Sequence, residues 1–520
     1  MMQESSENEL KRLHGCVDFS DSWSIGEYAK HLPGMTFRDV LGLGIRPEGG
    51  ESHDYGNPSY KGGLGTLIEE RFFGYRANSD SRPDFPEAGV ELKTTCYDVL
   101  KKRSRSTSDR LSAGERLVIM DIPNDRPVES DLQCSHLWQK CRRILLVFYE
   151  RDRTVGRLDQ RIGYVGMFTP PEEDLEVMRG DYGKIVSYVQ AGRADELSES
   201  LTEYLGACTK GETAARSWKE QYYPRTDVDG KEIRVKAKKR AFCFKRQYMD
   251  YVLHSHVIGQ APQADRIMVA GRDGEQGFEE HISRLVRPYA GKTDRELCRE
   301  LDVPYTATSG NGNAIWSTLA FRMLGIGSNR AEEFVKAGIS VRAVRVEPDG
   351  KIRENLSLAP FEFEELLSET WEGSELRTYL DETRFFFAVF GKDAVDGCYR
   401  FRGSCFWNMP MHDVEGPVRE CWERTREVVR EGVVLEPEPR GNGVRMRNNL
   451  PKPGDNPIVH VRPHAHEAFY DLGDGTPAKG RRSNGSKLPD GRWMTRQSFW
   501  LNRDYVVQTL EEGLGQSLRP

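Results

Sequence analysis

Apolar residues in this chain come in short blocks separated by polar stretches rich in Gly and Pro. No block approaches the roughly 20 residues needed to span a bilayer. Residues 116–122 (RLVIMDI) and 143–149 (RILLVFY) are short, apolar and β-branched, which predicts buried strands. The aromatic run at 385–387 reads as another buried strand rather than a base-stacking platform. Other blocks carry a helical period. Residues 65–73 place Leu67, Ile68 and Phe72 on one helix face. Across 172–189, Leu175, Met178, Tyr182, Ile185, Val186 and Val189 form another, with Gly180 and Gly183 as points where it could break. Strand and helix patterns mix in both halves, which predicts α/β or α+β domains around a central mixed sheet.

The same pattern occurs twice. FPEAGVELKT (85–94) is matched by FVKAGISVRA (334–343), and RILLVFYERD (143–152) by RFFFAVFGKD (384–393). PEEDLE (171–176) is matched by PMHDVE (410–415), and AFCFKRQYM (241–249) by SFWLNRDYV (498–506). The order is preserved and the offsets are similar, so a tandem duplication is expected. It divides the chain into a polar tail (1–29), a first domain (30–254), a linker (255–276) and a second domain (277–520). The Gly/Ser/Pro/Lys-rich segment 471–491 reads as a surface insertion in the second domain.

At 520 residues the chain is too long for one hydrophobic core. Its 37% hydrophobic and 30% charged content suits a globular enzyme rather than a disordered chain. The net charge of −6 excludes a generally basic nucleic-acid protein, so any DNA-binding charge must be local. Ten scattered cysteines without a CxxC pair predict reduced thiols. With a polar N-terminal stretch that lacks a signal-like core, this predicts a cytoplasmic protein with no membrane association.

The candidate chemistry lies in KGGLGTLIEERFFGYRANSDSRPDFPEAGVELKTT, residues 61–95. Asp84 follows Pro83, and Glu91-Leu92-Lys93 comes seven residues later. On a strand, Glu91 and Lys93 project to the same face, and Asp84 can converge on them from the entering segment. Two carboxylates beside an ammonium group make a site for a hard cation such as Mg²⁺. Such a site could hydrolyse a phosphodiester with a water positioned by Lys93. The motif alone also fits a solvated surface pair. No GxxxxGK[ST] follows the glycines at 62–65, so ATP binding is not expected.

Together, Lys61-Gly62-Gly63-Leu64-Gly65-Thr66-Leu67-Ile68-Glu69, Asp84-Phe85-Pro86 and Gly89-Val90-Glu91-Leu92-Lys93-Thr94 closely resemble the MutH family. That family comprises the mismatch-repair nicking endonuclease and the two-domain Sau-type restriction endonucleases that cut at GATC. The resemblance implies a PD-(D/E)xK nuclease fold, here duplicated, and a Mg²⁺-dependent type II restriction endonuclease acting on double-stranded DNA. It implies Asp84 and Glu91 as metal ligands, Lys93 as holder of the attacking water and Glu69 as a further acidic catalytic residue. Lys61 would lie near the scissile phosphate. A cognate DNA methyltransferase would belong to the same system without being a stable subunit.

Seven of the thirteen residues from Arg234 to Arg246 are basic and none is acidic, which suggests phosphate neutralisation. Arg234 and Lys236 match the MutH-like loop that reads bases. The run at 101–105 (KKRSR) could line the same cleft or be a solvated loop. In the second domain, Ser340, Arg342, Glu333 and Phe321 stand where Glu91, Lys93, Asp84 and Glu69 stand in the first, so no metal catalysis is expected there. Arg462 and His464, before Phe499, resemble the loop before Phe242, and the Sau-type resemblance implies an effector domain binding further DNA. His460, His464 and His466 lack partners at zinc-ligand spacing. The competing functions are a methylation-directed nicking enzyme, a DNA-binding protein that has lost cleavage, and an unrelated α/β protein carrying chance motifs.

Overall fold

A computed structural model describes residues 9–47, 53–60, 62–77, 81–99, 110–209, 218–226, 229–260, 267, 277–305, 314–327, 331–353, 356–440, 443–465, 467–473 and 480–518. The chain forms two compact units, Met1–Gly277 with Glu332–Gly338, and Phe278–Ala331 with Ile339–Pro520.

In the first unit, strand Glu91–Val99 lies between Leu111–Ala113 and Ile144–Glu150, with Ile162–Phe168 at the far edge. Its pairing with Ile144–Glu150 is parallel, which requires a crossover, and that crossover carries the short helix His136–Cys141. Ile144 to Phe148 are all buried, as the apolar run predicts. A second sheet pairs Leu117–Asp121, Arg240–Phe244 and Leu205–Thr209. Helix Gly63–Arg71 buries Leu67 and Ile68 in the core beside Phe72, Phe73, Phe85, Val90 and Leu92. It starts after Gly62 in the left-handed region (φ 78°), and a Cβ on Gly63 would stand 2.9 Å from the Tyr60 ring.

Helix Glu172–Gln190 runs unbroken through Gly180 and Gly183. Each glycine costs about 1 kcal/mol in a helix interior. Leu175, Met178, Tyr182, Ile185, Val186 and Val189, all buried, hold the element together.

The second unit repeats this pairing. Ile339–Val346 is parallel to Arg384–Lys392, which is antiparallel to Tyr399–Trp407. Ser340 pairs with Phe385 as Glu91 pairs with Ile144, and Phe385 with Trp407 as Ile144 with Phe168. The second sheet orders Ser357–Phe361, Gln497–Leu501 and Val459–Pro463. The Glu91–Ile144 and Ser340–Phe385 registers lie within the repeated segments and agree with them.

Three stretches differ from the sequence expectation. Residues 1–29 are not all polar tail: Asp21 caps helix Ser22–Ala29, whose Ile25, Tyr28 and Ala29 are buried in the first core. The helix at Arg246–Val252 continues as a π-helical turn, Leu253–Val257, into the expected linker, and Leu253 is buried. The expected insertion at 471–491 contributes strand Gly485–Lys487, paired with Trp493–Thr495, and buries Ser486 and Leu488. Its polar composition hid the alternation of a short, half-buried strand. Helix Glu332–Ala337 groups with the first unit although its flanking segments belong to the second.

Candidate active site

The backbone between Phe85 and Val90 turns back on itself through two hydrogen bonds: Phe85 N to Val90 O at 2.9 Å and Val90 N to Phe85 O at 3.1 Å. Gly89 (φ 63°) makes this turn possible, and a Cβ there would stand 2.5 Å from the Arg142 guanidinium. The turn brings Asp84 alongside the start of the strand, where its Oδ2 accepts the Leu92 N–H at 2.8 Å. Glu91 is almost fully buried, and Lys93 Nζ donates to its Oε1 at 2.7 Å, so the two share one strand face as expected.

Lys140, in the last turn of helix His136–Cys141, donates to both Glu91 oxygens at 3.2 Å. The sequence analysis missed it. Its surroundings, WQKCRR, carry no motif, and only the parallel pairing of Glu91 with Ile144 brings that helix end to the site.

Glu69 comes from helix Gly63–Arg71 and shares the electrostatic field of Asp84, Lys93 and Glu91. Burial, with the negative charge of Asp84 adding to it, pushes its pKa up to about 7. Burial and then Glu91 also raise the Asp84 pKa, against the Leu92 N–H and the two lysines. Burial would lower the Lys93 pKa. The charge and hydrogen bond of Glu91, joined by Asp84 and Glu69, outweigh it, so Lys93 stays protonated.

Three carboxylates thus surround two ammonium groups. The Tyr75 hydroxyl, in the field of Asp84, Glu69 and Glu91, is buried without a hydrogen-bond partner. This excess of buried negative charge and oxygen donors fits a hard divalent cation. Among the described residues no group of three His, Cys, Asp or Glu side chains is placed to hold a metal ion.

The neighbouring carboxylate, Glu70, turns the other way. Its Oε2 accepts the Tyr55 hydroxyl proton at 2.5 Å, and Arg71 Nε donates to the same hydroxyl at 3.0 Å. All three side chains are buried, tying the segment that leads to position 61 onto the helix that carries Glu69. Lys61 itself, like the basic run at 101–105 and His466, lies outside the described residues.

The basic stretch before the last strand divides by role. Arg234 and Lys236 are exposed; Arg234 follows the short pairing of Arg225–Thr226 with Glu232–Ile233, and Lys236 opens strand Lys236–Lys238, paired with Trp218–Glu220. Arg240 and Lys245 are buried and donate to the Ala207 and Thr202 carbonyls, so they hold the sheet rather than face solvent.

In the second unit, Ser340 and Arg342 occupy the pairing positions of Glu91 and Lys93. Glu333 accepts the Ile267 N–H within the first unit. Arg462 pairs with Ser498 as Cys208 pairs with Ala241. It therefore sits on the counterpart of strand Leu205–Thr209, which precedes the arm that carries Arg234. All ten cysteines are free thiols, and no helix among the described residues is long and apolar enough to cross a membrane.

A parallel-centred sheet presenting Asp84, Glu91 and Lys93, with Glu69 from the preceding helix, defines a MutH-like endonuclease of the PD-(D/E)xK class. The family model described as DNA mismatch repair enzyme MutH matches residues 73–181. The chain is 33% identical to the type II restriction enzyme Sau3AI of Staphylococcus aureus, over 85% of this chain and 91% of that protein. It is 30% identical to the DNA mismatch repair protein MutH of Pectobacterium atrosepticum, over 28% of this chain and 58% of that one. For the MutH of Shigella boydii serotype 18 the figures are 25%, 45% and 91%. The chain belongs to the MutH/Sau-type restriction endonuclease family and is a site-specific DNA endonuclease of the type II restriction class.

Proposed function

We propose that this endonuclease cuts both strands of DNA at GATC-like sites with Mg²⁺, using the centre built from Asp84, Glu91, Lys93 and Glu69. The observation that carries this is the convergence of Asp84 and Glu91 beside Lys93, with Leu92 N–H fixing the first and two lysines contacting the second. Asp84 and Glu91 would hold the ion, which when bound supplies charge to the scissile phosphate and its leaving oxygen. Lys93 orients the attacking water, and Lys140 shares the load of holding the Glu91 carboxylate. Arg234 and Lys236, exposed on their arm, contact bases or phosphates, and Lys61 lies near the scissile group. The second unit binds DNA without cutting it, because a serine and an arginine replace the strand's carboxylate and lysine. A separate methyltransferase protects the host sites.

The test is digestion of unmethylated DNA of known sequence with Mg²⁺, followed by sequencing of the ends. Uniform termini at GATC support the proposal. Single-strand nicks alone would move the assignment to a nicking enzyme, and termini elsewhere would overturn the site.

A further inference from the structure

The outer face of the second unit's Val459–Pro463/Gln497–Leu501 pair differs in kind from its counterpart in the first unit. Alternation places Val459, Val461, Phe499 and Leu501 in the core and His460, Arg462 and Trp500 on the opposite face. In the first unit the matching positions hold Gly206, Cys208 and Cys243, and all of that face is closed. Cys208 and Cys243 are buried, and Glu199, ion-paired to Arg116, packs so tightly on Gly206 that an added Cβ would stand 2.7 Å from it. In the second unit the same face is partly open: Arg462 is exposed and Trp500 half-buried.

These side chains are organised rather than merely exposed. The Arg462 guanidinium carbon lies 4.9 Å from the centre of the Trp500 ring. Trp500 Nε1 donates to the Arg462 carbonyl at 3.2 Å, fixing ring and strand to each other. The His464 ring stands 5.6 Å from Trp500, and its Nδ1 has no hydrogen-bond partner. Positive charge gathers here. Burial lowers the His460 pKa; its bond to Asn502 opposes this, while the charges of Arg462, Lys452 and Arg503 add to the lowering. The exposed Asp455 accepts the Lys452 N–H at 2.7 Å.

A guanidinium braced on an indole loses little freedom on meeting a planar or tetrahedral oxyanion. Most protein–DNA hydrogen bonds go to phosphate and sugar, with Arg a frequent donor, so an exposed arginine braced on a sheet face suits the backbone of a duplex. We propose that this face is where the second unit holds the sugar–phosphate backbone of a DNA duplex, with Arg462 as the phosphate contact and Trp500 as its buttress. This rests on the second unit being a DNA-binding domain, but it places the contact on a face that the first unit buries, away from the counterpart of the base-reading arm.

The experiment uses the full chain carrying Lys93→Ala, so that DNA survives, and counts short GATC duplexes bound per chain across a salt series. The parent should bind two. Arg462→Ala should weaken the second binding roughly tenfold and reduce its salt slope by about one. Trp500→Leu should do the same and Trp500→Phe should restore most of it, with melting temperatures checking that each variant folds. Two duplexes bound at parental affinity and slope by folded Arg462→Ala and Trp500→Leu variants would overturn the assignment of this face alone. A single duplex bound by the parent would overturn DNA binding by the second unit, and this face with it.

Discussion

Lys140 Nζ lies 3.2 Å from both carboxylate oxygens of Glu91, while Lys93 Nζ lies 2.7 Å from one of them. Glu91 therefore meets two cations of different origin, one from its own strand and one from a helix 49 residues on. In the proposed mechanism Lys140 shares the holding of Glu91 with Lys93, which also orients the water. Lys140→Ala is expected to slow cleavage by about 10–100-fold, as removal of a group orienting a metal ligand does. DNA retention in gel shift should be near normal. Equal cleavage rates for variant and parent would remove Lys140 from the site.

Lys93→Ala is expected to abolish cleavage, by about 10²–10⁴ in rate, with little change in DNA affinity. The two quantities are measured on the same preparation, by plasmid linearisation and by gel shift. Near-normal turnover would contradict its role.

Asp84→Asn and Glu91→Gln keep shape and remove charge. Each should raise the Mg²⁺ concentration needed for half-maximal cleavage and lower the maximal rate. A Mg²⁺ titration that superimposes on the parent would show that the ion is held elsewhere.

Glu69 makes stability depend on pH in a defined window. Its pKa in the folded chain is about 7, against an ordinary value of 4.5. Between these values the folded state holds more protons than the unfolded one, so this contribution is full below about pH 4.5 and lost as pH rises through 7. Without divalent cations, Glu69→Gln should be more stable than the parent at pH 8, by on the order of 1–3 kcal/mol. The two should be alike near pH 4.5. Thermal unfolding in chelator at the two pH values decides, and identical differences at both would exclude the effect.

Arg234→Ala or Lys236→Ala should cost about 1–3 kcal/mol of discrimination if the side chain reads a base. A phosphate contact would instead weaken all duplexes alike and reduce the salt slope. Competition between cognate and scrambled duplexes separates the two.

The local chemistry was legible in the chain itself. Strand alternation places Glu91 beside Lys93, the helical period places Glu69 on the Leu67–Ile68 helix, and the repeated segments reproduce the observed pairing of Ser340 with Phe385 and Glu91 with Ile144. These follow from backbone periodicity and side-chain burial, which act over a few residues and are written locally. Tertiary structure decided the rest. Lys140 reaches Glu91 only because a crossover closes a parallel pair. Arg240 and Lys245 read as DNA contacts in a basic run, yet they face inward onto carbonyls because alternation on a buried strand and its helix start overrides their charge. Arg462 looked like the partner of Arg234, but the register puts it in the place of Cys208. Contacts between distant strands and helices depend on which elements pair, and pairing is set by the whole core rather than by any one segment.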